Sequence, residues 1–257
     1  MEIKDVIIIG TGNVAWHLAK AFTEAGISVK QIVGRNVEKV NEIAALVHTD
    51  ATDDFSAIKN IDGIYLICVK DSAIEDVAKK VYNPGRKLVH CAGGVDSEVL
   101  HMGDDDFGVL YPIHPFTKYV EIDYDAAPVC VYGSSVAFNS ALVKLAKKLS
   151  KHVYEVDDKQ RLILNMCAVW VNNFTNHLFV IADEILEKNN LQLEMLYPLI
   201  AETVEKIKKT SPANAQTGPA ARRESAVLNK HMELLKEHPD YVEIYRLLSA
   251  SIQNKSR

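Results

Sequence analysis

The segment YPIHPF holds one histidine, His114, between Pro112 and Pro115. Proline fixes its own φ and biases the residue before it toward extended backbone, so the direction of His114 is restricted. A ring held in this way can polarise a carbonyl, bind a carboxylate or act as an acid. It can equally be a buried ring satisfied by a backbone carbonyl. A second polar group is VNNFTNH at 171–177, where Asn172, Asn173, Asn176 and His177 interrupt an apolar run. Asparagine is a poor helix former, because its amide competes for backbone hydrogen bonds. Projected at ~100° per residue, Asn165, Asn172, Asn176 and Asp183 share one stripe, with Asn173 and His177 beside it. The remaining positions of that helix are almost all apolar, which predicts burial in a core or interface. An unpaired buried amide costs about 1–3 kcal/mol, so the stripe needs partners. It is expected to face a cleft between two domains, the alternatives being helix–helix hydrogen bonds or water. Amides both donate and accept. His114, Asn173 and His177 are therefore the catalytic candidates, and Asn172 and Asn176 the substrate-binding ones. Arg222, after Gly218-Pro219 in what reads as the first turn of a helix, opposes the helix dipole. It is expected to anchor a substrate carboxylate, unless Glu224 or Glu233 pairs with it.

These residues need a frame, and the N-terminal half supplies one. DVIIIG is a short β-branched run that reads as a strand buried on both faces. It enters GTGNVAWHLAKAF, a G-x-G-x-x-A pattern at Gly10, Gly12 and Ala15. The first glycine allows a tight turn, the second lets a pyrophosphate approach, and the alanine keeps the helix against the sheet. Asn13 and Val14 then offer the helix-terminal N–H groups that hold the anion. At the end of the second strand, VGRN carries no acid for a ribose 2′-OH. Arg35 offers a fork for a 2′-phosphate instead, and Asn36 can add a hydrogen bond while capping the next helix. NADP is the cofactor this predicts. Val69, Ala92 and Gly93, at the ends of later strands, complete the expected cofactor contacts.

Strand and helix signals alternate up to Val156 and then only helices follow, over 157–187, 191–210, 219–237 and 240–252. The fold class expected is α/β: a doubly wound, mainly parallel Rossmann sheet followed by an all-α C-terminal domain. The division expected is 1–156 for dinucleotide binding and 157–257 for substrate binding and dimerisation. A net charge of −5 argues against nucleic acid. No apolar run reaches the ~20 residues of a membrane span, and no signal peptide is evident. Cys68, Cys91, Cys130 and Cys167 form no CxxC, so reduced, buried thiols in a cytoplasmic protein are expected, and no metal site.

GTGNVA, HCAGG, HPF, AVWVNNF and TGPAARRE, in this order, resemble a family of Rossmann-plus-helical proteins marked by a C-terminal domain of unknown function. The family is similar to pyrroline-5-carboxylate reductases, ketopantoate reductases and the wider 6-phosphogluconate dehydrogenase-like group. The resemblance covers essentially the whole chain. It implies an NADP-binding oxidoreductase, commonly a homodimer through the helical domain; the leading functional reading of the residues is hydride transfer between NADP(H) and a small carbonyl, imine or hydroxy acid. Family members usually have His where this chain has Asn165, and Arg-Gly-Asp in place of Arg222-Arg223-Glu224. The related hydroxyacid dehydrogenases carry a catalytic Lys where Val169 stands, so any acid role passes to His114, His177 or a water. A catalytically silent NADP-binding sensor or scaffold is the competing reading. A third, similarity to prephenate dehydrogenase, is hinted at by HP after a strand.

Overall fold

A computed structural model describes residues 2–255. The β-branched runs form the centre of an eight-stranded sheet ordered β3-β2-β1-β4-β5-β6-β7-β8. Its strands are β1 (Asp5–Ile9), β2 (Ser28–Val33), β3 (Asp50–Thr52), β4 (Ile64–Ile67), β5 (Lys87–His90), β6 (Phe107–Pro112), β7 (Val129–Gly133) and β8 (Val153–Glu155). All neighbours pair in parallel except β6 and β7. The first six strands follow the dinucleotide-binding order, which reverses direction between β1 and β4.

Alternation along the strands explains the two cores. Val6 and Ile8 of β1 point to one face, Ile7 and Ile9 to the other. On the first face they meet helices α1 (Asn13–Glu24), α2 (Val37–Leu46) and α4 (Val136–Ala146) through Leu18, Phe22, Ile43 and Phe138. On the second they meet α3 (Ile74–Val81) through Ile74, Ala78 and Val81. A strand covered on both faces must be apolar throughout, which is why DVIII lacks a polar repeat.

Beyond β8 come α5 (Asp158–Ala168), α6 (Thr175–Lys188), α7 (Tyr197–Lys209), the short α8 (Pro212–Ala215), α9 (Ser225–Leu234) and α10 (Pro239–Lys255). Asp157 and Gln160 form a reciprocal capping box that starts α5. The helix expected over 157–187 is interrupted by a π-helical stretch, Val169–Phe174, between α5 and α6. Its wider i→i+5 turn breaks the ~100° projection, so Asn172 leaves the stripe drawn from Asn165. The expected burial also fails within one chain: Arg161 is the buried residue of α5 and Ile181 that of α6. Leu162, Met166 and Val171 are exposed. Cys167 is exposed as well, against the expectation of buried thiols. Arg222 and Arg223 precede α9 instead of opening it, because Arg223 adopts a left-handed φ of 57°. They therefore lie outside α9 and do not oppose its dipole from within its first turn.

The chain divides into two compact units, one ending at Asn173 and the other starting at Phe174. The first holds the sheet together with α5. The second is wholly helical. Among the described residues no helix is long and apolar enough to cross a membrane.

Candidate active site

Parallel strands leave their carboxyl ends on one edge, and the first unit gathers most of the expected site residues there. At β1, Gly10 has φ 132°, and a Cβ on it would lie 2.1 Å from the Cys68 carbonyl oxygen after β4. Only glycine lets these two strand ends approach. Gly12 is the opposite case: it is exposed, and nothing lies within 4 Å of its Cβ position. The N-terminus of α1 has no side-chain cap and no acid in its first turn. The N–H groups at Asn13 and Val14 thus keep their capacity for an anion. The open glycine and the uncapped helix start fit the pyrophosphate of a dinucleotide.

The end of β2 fits a 2′-phosphate. Asn36 Oδ1 accepts from the Lys39 N–H at 2.9 Å and caps α2, as its position predicts. Arg35 is exposed and pairs with no acid among the described residues. Val69 is half-buried after β4, and Ala92 and Gly93 are buried after β5. Beneath them the Cys68 and Cys91 sulfurs lie 3.4 Å apart. Burial pushes the Cys91 thiol up, and the neighbouring Cys68 adds to the effect.

His114 belongs to a strap that crosses α1. Asn13 Nδ2 donates to the Phe116 carbonyl at 2.9 Å, and His17 Nε2 lies 2.8 Å from the Thr117 carbonyl. His114 packs near Phe116, and its buried Nδ1 has no partner among the described residues. Burial, then the nearby His17, pushes its pKa below the usual histidine value. At neutral pH the ring is an uncharged hydrogen-bonding group, not an imidazolium acid.

Under the β5 end lies a group whose wiring the sequence does not announce. Arg161 is 1% exposed, and its Nη2 lies 2.5 Å from Asp158 Oδ1 and donates to the Val95 carbonyl. Its Nε and Nη1 have no hydrogen-bond partner among the described residues. Asp158 Oδ2 also accepts from the Ser97 hydroxyl at 2.7 Å and the Ser97 N–H at 3.2 Å. Burial raises the Asp158 pKa, but Ser97, Asp96 and Arg161 outweigh it and hold the carboxyl below its ordinary value. His90, fully buried, accepts from the Ala92 N–H through Nδ1 at 3.1 Å, so Nε2 carries its proton. These contacts fasten α5 to the loop after β5. Asn165, one turn after Arg161, thereby reaches Tyr111, whose hydroxyl donates to Asn165 Oδ1 at 3.1 Å. Sequence spacing could have suggested this, since Arg161 and Asn165 are four apart on one helix face. The partners on β6 and after β5 could not be read that way.

The remaining candidates are placed differently. Asn172 and Asn173 are exposed in the π-helical stretch. Asn176, His177 and Arg222 belong to the second unit and are also exposed. Arg222 is paired with Glu224, Nε to Oε1 at 2.7 Å and Nη2 to Oε2 at 3.3 Å. No group of three or more His, Cys, Asp or Glu able to hold a metal occurs among the described residues.

Comparison with known proteins places this geometry in context. Residues 5–93 match the family model described as NADP oxidoreductase coenzyme F420-dependent, and residues 127–252 match a domain of unknown function, DUF2520. A "putative NADP oxidoreductase" from Bacteroides fragilis is 34% identical over 98% of both chains, with a TM-score of 0.90. An imine reductase from Myxococcus stipitatus, solved with NADP+, is 17% identical over 97% of this chain and 92% of its own, with a TM-score of 0.61. A pyrroline-5-carboxylate reductase from Coxiella burnetii is 13% identical over 99% of this chain and 98% of its own, with a TM-score of 0.59. At such identities the last two share the fold. No curated protein sequence matches the chain.

Proposed function

The chain belongs to the family of the Bacteroides fragilis protein, and we propose that it is an NADP-dependent oxidoreductase that moves hydride to or from a small carbonyl, imine or hydroxy acid. One observation carries the reading. The open Gly12 turn and uncapped α1 lie at the strand-order reversal, with unpaired Arg35 at the neighbouring strand end. Such a crevice suits a dinucleotide whose ribose bears a 2′-phosphate. When bound, the nicotinamide supplies or accepts the hydride. Gly10, Gly12, Asn13 and Val14 hold the pyrophosphate in this reading, Arg35 and Asn36 hold the 2′-phosphate, and Val69, Ala92 and Gly93 line the inner end. His114, neutral at pH 7, serves as a hydrogen-bonding group toward substrate. Asn172, Asn173, Asn176, His177 and Arg222 stand as substrate-side candidates, with Arg222 available to a carboxylate only once Glu224 releases it.

The exposed apolar side chains of the helices, among them Met166, Val171 and Leu199, exceed what scattered surface residues need. We assign them to a homodimer interface, as the resemblance implies, in a cytoplasmic protein with free thiols. Sedimentation should then report a dimer.

The experiment for the activity is NADPH consumption, followed by its absorbance, against a panel of cyclic imines and 2-keto acids. The proposal expects turnover with at least one class. Tight NADPH binding with silence across the panel would instead favour a sensor.

A further inference from the structure

Just past the carboxyl end of β5 two glycines lie under three polar side chains from three parts of the chain. A Cβ added at Gly93 would lie 2.6 Å from Tyr111 Cζ and 2.8 Å from both Tyr111 Oη and Asn165 Oδ1. A Cβ added at Gly94 would meet Asn165 Nδ2 at 3.4 Å and Asp71 Oδ2 at 3.5 Å, and no other atom outside its chain neighbours within 4 Å. The Tyr111 hydroxyl occupies Asn165 Oδ1, which turns the amide so that Nδ2 faces the gap over Gly94. Nδ2 has no partner among the described residues, and Gly94 itself is exposed. Arg161 fixes the helix that carries Asn165. The result is a held amide N–H pair beside the β5 carboxyl end, with the exposed Asp71 carboxylate near the same Gly94 position.

We propose that Asn165 Nδ2 is the hydrogen-bond donor that receives the oxygen of the substrate's carbonyl or the nitrogen of its imine, and that Tyr111 is the positioning residue that aims it. The inference rests on the hydride-transfer reading for the kind of group received. The chemistry of the gap narrows that group further. An amide donor offers two N–H bonds and no charge, and the Asp71 carboxylate near the Gly94 position repels an anion. The group taken here is thus a neutral C=O or C=N, and a substrate carboxylate binds elsewhere. A donor already aimed at the heteroatom needs no reorganisation as negative charge develops on it. A burial-raised pKa keeps Tyr111 a neutral donor to the amide.

The test uses the full chain loaded with NADP+ and an unreactive probe, 2-pyrrolidinone, against propionate, in ligand-observed NMR titrations. Wild type should bind the lactam in preference to propionate. Asn165→Leu should weaken the lactam by roughly three- to ten-fold, the range of one neutral hydrogen bond, with NADP+ affinity unchanged. Tyr111→Phe should weaken it as well, and the double variant should be no weaker than Asn165→Leu alone, because Tyr111 acts through Asn165. A merely structural Tyr111 would add its own loss. Unchanged lactam affinity in Asn165→Leu, preference for propionate, or no lactam binding by wild type would overturn the proposal. Lactam binding that follows this pattern in a protein that consumes no NADPH supports the proposal while contradicting the hydride-transfer reading. Turnover with lactam affinity indifferent to Asn165 does the reverse.

Discussion

Arg161→Ala is expected to lower the free energy of unfolding by about 3 kcal/mol, the low end of the range for breaking a buried ion pair by removing one partner, because the Asp158 carboxylate left behind is only half-buried. The variant leaves the Asp158 carboxylate under the β5 loop with Ser97 as its remaining short donor. It also removes the donor to the Val95 carbonyl and most of the largest fully buried side chain among the described residues. The wild-type arrangement is itself imperfect, because Nε and Nη1 of Arg161 lack hydrogen-bond partners. Removing both charges should therefore cost less than removing one. Urea unfolding of Arg161→Ala beside the double variant Arg161→Met, Asp158→Asn checks this, with the double variant expected to be the more stable. A loss under about 1 kcal/mol for Arg161→Ala would show that the pair is not held as described.

His90 should make the protein acid-sensitive. Burial, and then the Arg161 charge, push its pKa down to about 4 from the ordinary 6.5. The sign follows from the neutral form being the one the fold accepts. Above pH 6.5 neither state is protonated there and the contribution is complete. As pH falls toward about 4 the unfolded chain gains a proton that the folded chain refuses, and stability is lost. The residue alone should account for about 3 kcal/mol between pH 7 and pH 4. Carboxylates such as Asp158 lose their own contribution lower still, below the ordinary carboxylate value, so the two windows separate. His90→Asn keeps an acceptor for the Ala92 N–H and cannot titrate. Its stability should fall less steeply from pH 6.5 to 4.5 than that of wild type, and equal slopes would contradict the assignment. The two predictions are linked. Without Arg161, His90 should titrate closer to 6.5, and the acid loss should shrink.

Much of the frame was legible because it is local. Gly10, Gly12 and Ala15 after a β-branched run specify strand, turn and helix with no reference to distant residues. Asn36 caps α2 by the same local logic. The rest depended on geometry that spacing does not carry. The projection of the asparagines assumed an unbroken α-helix, and the π-helical stretch at Val169–Phe174 turns the face partway. The sequence marks an apolar helix but not whether its own chain covers it, and here most of those side chains are left exposed. His114 was set by its prolines, yet what it faces is decided by the contacts of Asn13 and His17 with the strap, about a hundred residues away in the chain. Arg222 found Glu224 two residues on because Arg223 takes a left-handed turn, and nothing in TGPAARRE states that φ. The burial of Arg161 is not legible for the corresponding reason, since a charged residue near a helix start ordinarily faces solvent.

The most direct measurement of the central claim is a fluorescence titration of NADPH and NADH into wild type and Arg35→Ala. The account predicts that wild type binds NADPH more tightly, and that losing the Arg35 contact with the 2′-phosphate weakens NADPH by roughly ten- to a hundred-fold, as for one hydrogen bond between charged groups. NADH affinity should stay nearly the same. Equal affinity of wild type for the two nucleotides, or an undiminished preference in Arg35→Ala, would contradict it.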